Sequence, residues 1–199
     1  MSVKKYELTD ERHPGNPRLR RIRALVDMPA AGVTAGDLGG WIEHERNLRH
    51  YSESDSAWVY GDALVYGDAR VSGSAHVSGS ARVGGSAHVD DFARVSGSAR
   101  VSGSALVSGS AHVDDSAHVL HVYVKASDTY PATLCRTTSG HTLRVGCWSG
   151  TVPEFRAMIE SDEWVEANAE TRALRRPELL AFAAMCEARI ATWDGGDES

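Results

Sequence analysis

From Ala57 to Val119 the sequence keeps a period of six. Val occupies every sixth position from Val59 to Val119, eleven times, and Ala does the same from Ala57 to Ala117. Gly stands two residues after most of these valines, at 61, 67, 73, 79, 85, 97, 103 and 109, and Asp91 and Asp115 replace it in two hexads. A period of six matches neither the helical repeat nor a plain strand. It fits a short strand that turns a corner in every repeat. In Ala57-Trp58-Val59-Tyr60 the side chains alternate in, out, in, out, as a strand requires. Gly61-Asp62 then makes the corner, where Gly tolerates a positive φ.

In this register residues 57–119 resemble the hexapeptide-repeat family, and the likeness reaches back to about residue 36. The family hexad places Gly directly after the aliphatic residue. Here Gly comes one place later, as in "VYGDA", a variant similar to a subgroup of phage and prophage proteins. The flanks "AGDLGGWIEHERNL" and "GCWSGTVPEF" resemble that subgroup as well. The resemblance implies a left-handed parallel β-helix, a triangular prism with three hexads per coil. It further implies a homotrimer of prisms packed side by side. Its functional implication is a binding or scaffold role in the bacterial host cytoplasm, or a structural place in a virion. Many relatives of the fold are acyltransferases, which implies an alternative with a His general base and acyl-coenzyme A between subunits.

The expected architecture is therefore mainly β: a left-handed parallel β-helix over 36–120, an N-terminal cap over 1–35, and a C-terminal α+β module over 121–199. A stack of coils has two open ends that pair with other chains unless covered, so both flanks are expected to cap it. In the first, "RLRRIRALV" reads as a strand or a short helix, after a loop marked by Pro14 and Pro17. In the last, "PATLCRTT" and "HTLRVGCW" read as a hairpin about Ser139-Gly140. Pairing Thr138 with His141 sets Cys135 opposite Arg144 and Cys147 opposite Ala132, and both thiols are expected buried. Thr151 and Glu154 form a capping box for a helix over 152–164. Pro177 suits the first turn of a second helix running to about Trp193. Its apolar face comprises Leu179, Leu180, Phe182, Ala183, Met185, Cys186, Ile190 and Trp193.

Composition excludes several classes. A formal charge of −6 argues against general nucleic-acid binding, which needs a basic surface. No apolar run approaches the ~18–20 residues that span a bilayer, and "MSVKKYELTDER" lacks a signal-peptide apolar stretch. Three cysteines without CxxC spacing fit a reduced, cytoplasmic setting. No nucleophile elbow, phosphate-binding loop or dinucleotide fingerprint occurs.

The informative position is the outward residue before each Val. Three hexads per coil sort it into columns: Trp58, His76, Arg94, His112; then Leu64, Arg82, Arg100, His118; then Arg70, His88, Leu106. No acid occupies this register. A basic stripe of Arg82, Arg94, Arg100, His112 and His118 is expected to face a small phosphate-bearing ligand, an acidic protein partner or plain solvent. Arg18, Arg20, Arg21 and Arg23 form a second basic cluster, either a solvated face or an anion or partner site. Trp58, Tyr60, Leu64 and Tyr66 read as an exposed apolar patch and hence a subunit interface. Under the transferase alternative the candidate bases are His76, His88, His112 and His118, with acyl-CoA as the only cofactor. No protruding loop singles one out. A metal-dependent hydration enzyme with His112, His118 and His121 as ligands is the weaker reading, because surface histidines need no metal, and no metal site is assigned.

Overall fold

The computed structural model describes residues 4–114, 119–125, 129–161 and 169–194. The chain divides into two compact units, Met1–Val119 and Leu120–Ser199.

The first unit opens with an antiparallel hairpin, β1 (Tyr6–His13) and β2 (Asn16–Ala24), followed by β3 (Leu38–Ile42) antiparallel to β2. From there each hexad contributes one two-residue strand. These are β4 (Trp58–Val59), β5 (Leu64–Val65), β6 (Arg70–Val71), β7 (His76–Val77), β8 (Arg82–Val83) and β9 (His88–Val89). The series continues with β10 (Arg94–Val95), β11 (Arg100–Val101), β12 (Leu106–Val107) and β13 (His112–Val113). Every third strand pairs in parallel, giving the sheets β4-β7-β10-β13, β6-β9-β12 and β1-β2-β3-β5-β8-β11. The product is a parallel β-solenoid of about three turns.

Its wall follows from the repeat. Ala57, Val59 and their successors through Val113 point inward and are at most 1% exposed. Small side chains suffice because the interior is narrow, and close packing leaves no room for larger ones. Main-chain bonds bind coil to coil, as in Trp58 N–H to Ala75 O (3.0 Å) and Tyr60 N–H to Val77 O (2.7 Å). The corners need the left-handed backbone. Gly85 has φ 65°, and a β-carbon there would lie 2.9 Å from the amide nitrogen of Gly103 in the next coil. Asp91 takes the same conformation, φ 56°, and is the one non-Gly residue with positive φ among those described.

The N-terminal cap is an extension of one prism face rather than a lid. β3 joins the hairpin to the solenoid, pairing Arg21 with Trp41 on one side and Trp41 with Leu64 on the other. Gly39 and Gly40 permit this approach. A β-carbon on Gly39 would stand 2.6 Å from Val59 O, and one on Gly40 would stand 2.7 Å from Ala63 O. Asn47 is fully buried and closes the first coil. Its side-chain amide donates to Gly67 O (3.0 Å) and Ala69 O (2.8 Å), and its Oδ1 accepts from His44 N–H (2.7 Å). The outermost strand β1 is an edge, and Glu7, Asp10, Glu11 and Arg12 give it the charges that discourage pairing with other chains.

The second unit holds a four-stranded sheet of β14 (Val119–Lys125), β15 (Thr129–Thr137), β16 (Gly140–Val145) and β17 (Trp148–Gly150), with β15, β16 and β17 antiparallel in turn. Helices α1 (Val152–Glu160) and α2 (Ala169–Asp194) accompany it. Leu134 and Leu143 from the sheet, Phe155 and Ile159 from α1, and Phe182, Cys186 and Trp193 from α2 form its core. The Thr151–Glu154 capping box forms as expected, with Glu154 N–H donating to Thr151 Oγ1 and Thr151 N–H to Glu154 Oε2.

Four expectations for this unit are corrected. The hairpin register pairs Cys135 with Thr142 and Ala132 with Val145, because the turn falls at Thr138-Ser139 and Gly140 already belongs to β16. Cys147 is exposed, beyond the end of that strand. Pro177 lies inside α2 rather than at its start. The Ala, Leu, Arg and Glu residues around it carry the helix past the one donor that proline lacks. Met185 is exposed and leaves the apolar face.

Candidate binding face

Parallel pairing in register fixes the columns. Trp58, His76, Arg94 and His112 stack along one sheet, and Arg70, His88 and Leu106 along another. Leu64, Arg82 and Arg100 stack along the third. The candidate ligands therefore separate. Arg82 and Arg100 share a face, while Arg94 and His112 stand on a different sheet. His118 and Asp115 lie outside the described residues.

On the Arg82–Arg100 face the two side chains are exposed and about 4.8 Å apart at the backbone. Arg82 has no ion pair or side-chain hydrogen bond among the described residues. Two like charges at this spacing are tolerated in water and become costly as water is withdrawn. Tyr66 leans from the first coil over Gly84 of the next, where a β-carbon would meet its Cε2 at 2.5 Å. Most other hexads carry Ser, Asp or Tyr at the position of Gly84. The missing side chain at 84 is thus what leaves room for the Tyr66 ring on the coil that carries Arg82. Sequence reading missed this, although the irregular "VGGSA" was the signal.

The expected apolar patch is corrected in its exposure. Trp58 is 1% exposed, beneath Tyr6, whose ring meets it edge-on at 6.4 Å. Tyr6 is itself anchored, its hydroxyl donating to Glu45 O (2.7 Å) and Leu48 O (2.8 Å), and burial drives its pKa upward. Tyr60 is half-buried, with its hydroxyl on Ala31 O at 2.6 Å, and Leu64 and Tyr66 are also half-buried. Tyr6 and Ala31 of the N-terminal segment thus cover Trp58 and Tyr60, contacts that the repeat alone does not foretell.

The histidines are dispersed. His76 is half-buried with its ring 5.3 Å from that of Tyr60. Burial, then the charge of Arg94, lower its pKa and keep it neutral. Arg94 intervenes between His76 and His112 in the column, and His88 is exposed on another face. Among the described residues no three His, Cys, Asp or Glu side chains are grouped to hold a metal ion.

The N-terminal arginines are largely engaged within the hairpin. Arg20 donates to Leu8 O and Thr9 O, Arg23 pairs with Glu7, and Arg21 lies over the Trp41 ring at 5.0 Å. A recess of about 280 Å³ near this end is lined by Lys5, Asp27, Met28, Glu53, Asp55 and Ser56. Lys5 is buried there with its ammonium on the Glu53 and Asp55 carbonyls, a structural tie that leaves it little reach. Compared with protein-family models and with curated proteins, the chain matches none.

Proposed function

We propose that the protein is a non-catalytic binding module that assembles as a trimer of side-by-side solenoids. In each inter-subunit groove Arg82 and Arg100 hold a phosphate-bearing small molecule, and Tyr66 supplies a flat surface for a planar group. A nucleotide has both features. The observation that carries this reading is the in-register Arg82–Arg100 pair, with the Tyr66 ring over Gly84 two residues along the chain from Arg82. Guanidinium groups suit phosphate because they donate in a fixed fork and stay charged. The hexapeptide-repeat likeness of the "VYGDA" type makes a phage or prophage origin the natural setting. There the module sequesters a host signalling nucleotide.

A second reading, acyl transfer from coenzyme A, draws on one observation: His76 is half-buried with its ring 5.3 Å from that of Tyr60, and burial lowers its pKa, so it is unprotonated as a general base must be before reaction. The same experiment separates the two. Small molecules released by denaturing the purified protein are identified by mass spectrometry. A nucleotide or similar phosphate compound supports the binding module, and coenzyme A supports the transferase. Nothing released from protein prepared at low salt overturns both.

A further inference from the structure

At one corner the repeat departs from itself at three successive positions. Neighbouring corners read Ser-Gly-Ser at 72–74, 78–80, 96–98, 102–104 and 108–110, whereas residues 90–92 are Asp-Asp-Phe. The backbone gains nothing from the change. Phe92 N–H reaches Gly109 O (3.1 Å), and Ser74 N–H reaches Asp91 O (2.7 Å), the same ladder that the other corners make. Two features set this corner apart. Asp91 takes a left-handed φ of 56°, which Asp tolerates, and its Oδ2 accepts from Gly109 N–H at 3.1 Å. Phe92 is 74% exposed. A large exposed ring that serves no core, next to a carboxylate, points to a contact made from outside.

The chain itself carries a complementary surface. Rotation about an axis parallel to the solenoid leaves every residue at its own height. The Asp91–Phe92 corner turns the chain from β9 to β10, so it lies at the level just below Arg94. In a closed ring of three prisms, each copy meets its neighbours through adjoining sides, and this corner adjoins the β10 face. At that level the face presents the exposed Arg94, flanked in its column by His76 and His112 and by no acid. A guanidinium accepts both a carboxylate and the face of a phenyl ring.

We infer that the Asp91–Phe92 corner of one copy docks on the Arg94 face of a second copy, ring against guanidinium and carboxylate beside it. This rests on the trimer reading above and leaves Arg82 and Arg100 clear of the contact. Phe92→Ser and Asp91→Gly restore the residues of neighbouring corners, so both variants keep the coil. Arg94→Glu tests the opposite surface. Size-exclusion chromatography with light scattering over a concentration series reads the result, with circular dichroism as the folding control. Wild type is expected as three chains, and F92S and R94E each raise the concentration for half-assembly by roughly tenfold or more, as loss of a buried anchor does. A wild-type trimer indifferent to both substitutions overturns this docking and leaves the trimer standing. A wild type that is a single chain at every concentration overturns both.

Discussion

The ring of Tyr66 fills the space that a side chain at Gly84 would need, with its Cε2 at 2.5 Å and Cζ at 2.6 Å from a β-carbon built there. Gly84→Ser introduces the residue found at 78 and 96, yet it drives Tyr66 off the wall. Overpacking of this kind costs about 1–3 kcal/mol. Chemical denaturation of G84S, Y66S and the double variant measures it. The double variant is expected to lose less than the two single losses combined, since the clash is then gone.

The side chain of Asn47 carries three hydrogen bonds. Asn47→Ala strands two buried carbonyls, Gly67 O and Ala69 O, and the His44 amide. Each buried group left unpaired costs roughly 1–3 kcal/mol, so the first coil is expected to open before the rest. Hydrogen exchange at residues 41–69 checks this, and faster exchange confined to that segment is the expected result.

Much of the solenoid was legible in the sequence because its constraint is local. Each Val and Ala is buried by its own coil and each Gly turns its own corner, so six residues state the rule. The columns follow from counting. The N-terminal hairpin was only half legible: β2 carries buried Leu19 and Ile22, but β1 is charged and is a strand through pairing with β2. Burial of Trp58 beneath Tyr6 depends on residues 52 positions apart, which no periodicity reports. The Tyr66–Gly84 contact is likewise a relation between coils, visible in the sequence only as an irregular hexad. In the second unit the hairpin register slipped because Gly140 suits either the turn or the strand after it.

Stability should fall as pH drops below about 6.5. Burial lowers the pKa of His50 from 6.5, chiefly by desolvation, and that of His76 in the same way. The unfolded chain then binds protons that the folded one refuses, so stability is fully present above the unfolded value and is lost toward the folded values. His50 Nε2 donates to Ala57 O at 2.9 Å, which fixes its neutral tautomer. Thermal unfolding midpoints between pH 8 and pH 5 check the trend, and a midpoint that stays flat or rises on acidification contradicts it.

The three thiols should react in sequence. Cys147 is exposed, whereas burial pushes Cys135 and Cys186 up to about 12. A thiol reagent at neutral pH is expected to modify Cys147 alone in the folded protein, and all three after denaturation. Peptide mapping after timed labelling distinguishes these cases.

The binding role turns on the Arg82–Arg100 face, and native mass spectrometry of the intact assembly tests it most directly. Wild type, R82Q and the R82Q/R100Q double variant are purified identically at low salt. The expected result is a three-chain assembly carrying phosphate-bearing adducts in wild type, reduced in R82Q and missing from the double variant, whose assembly persists. Adducts that survive in the double variant, or a wild type that carries none, would contradict the account.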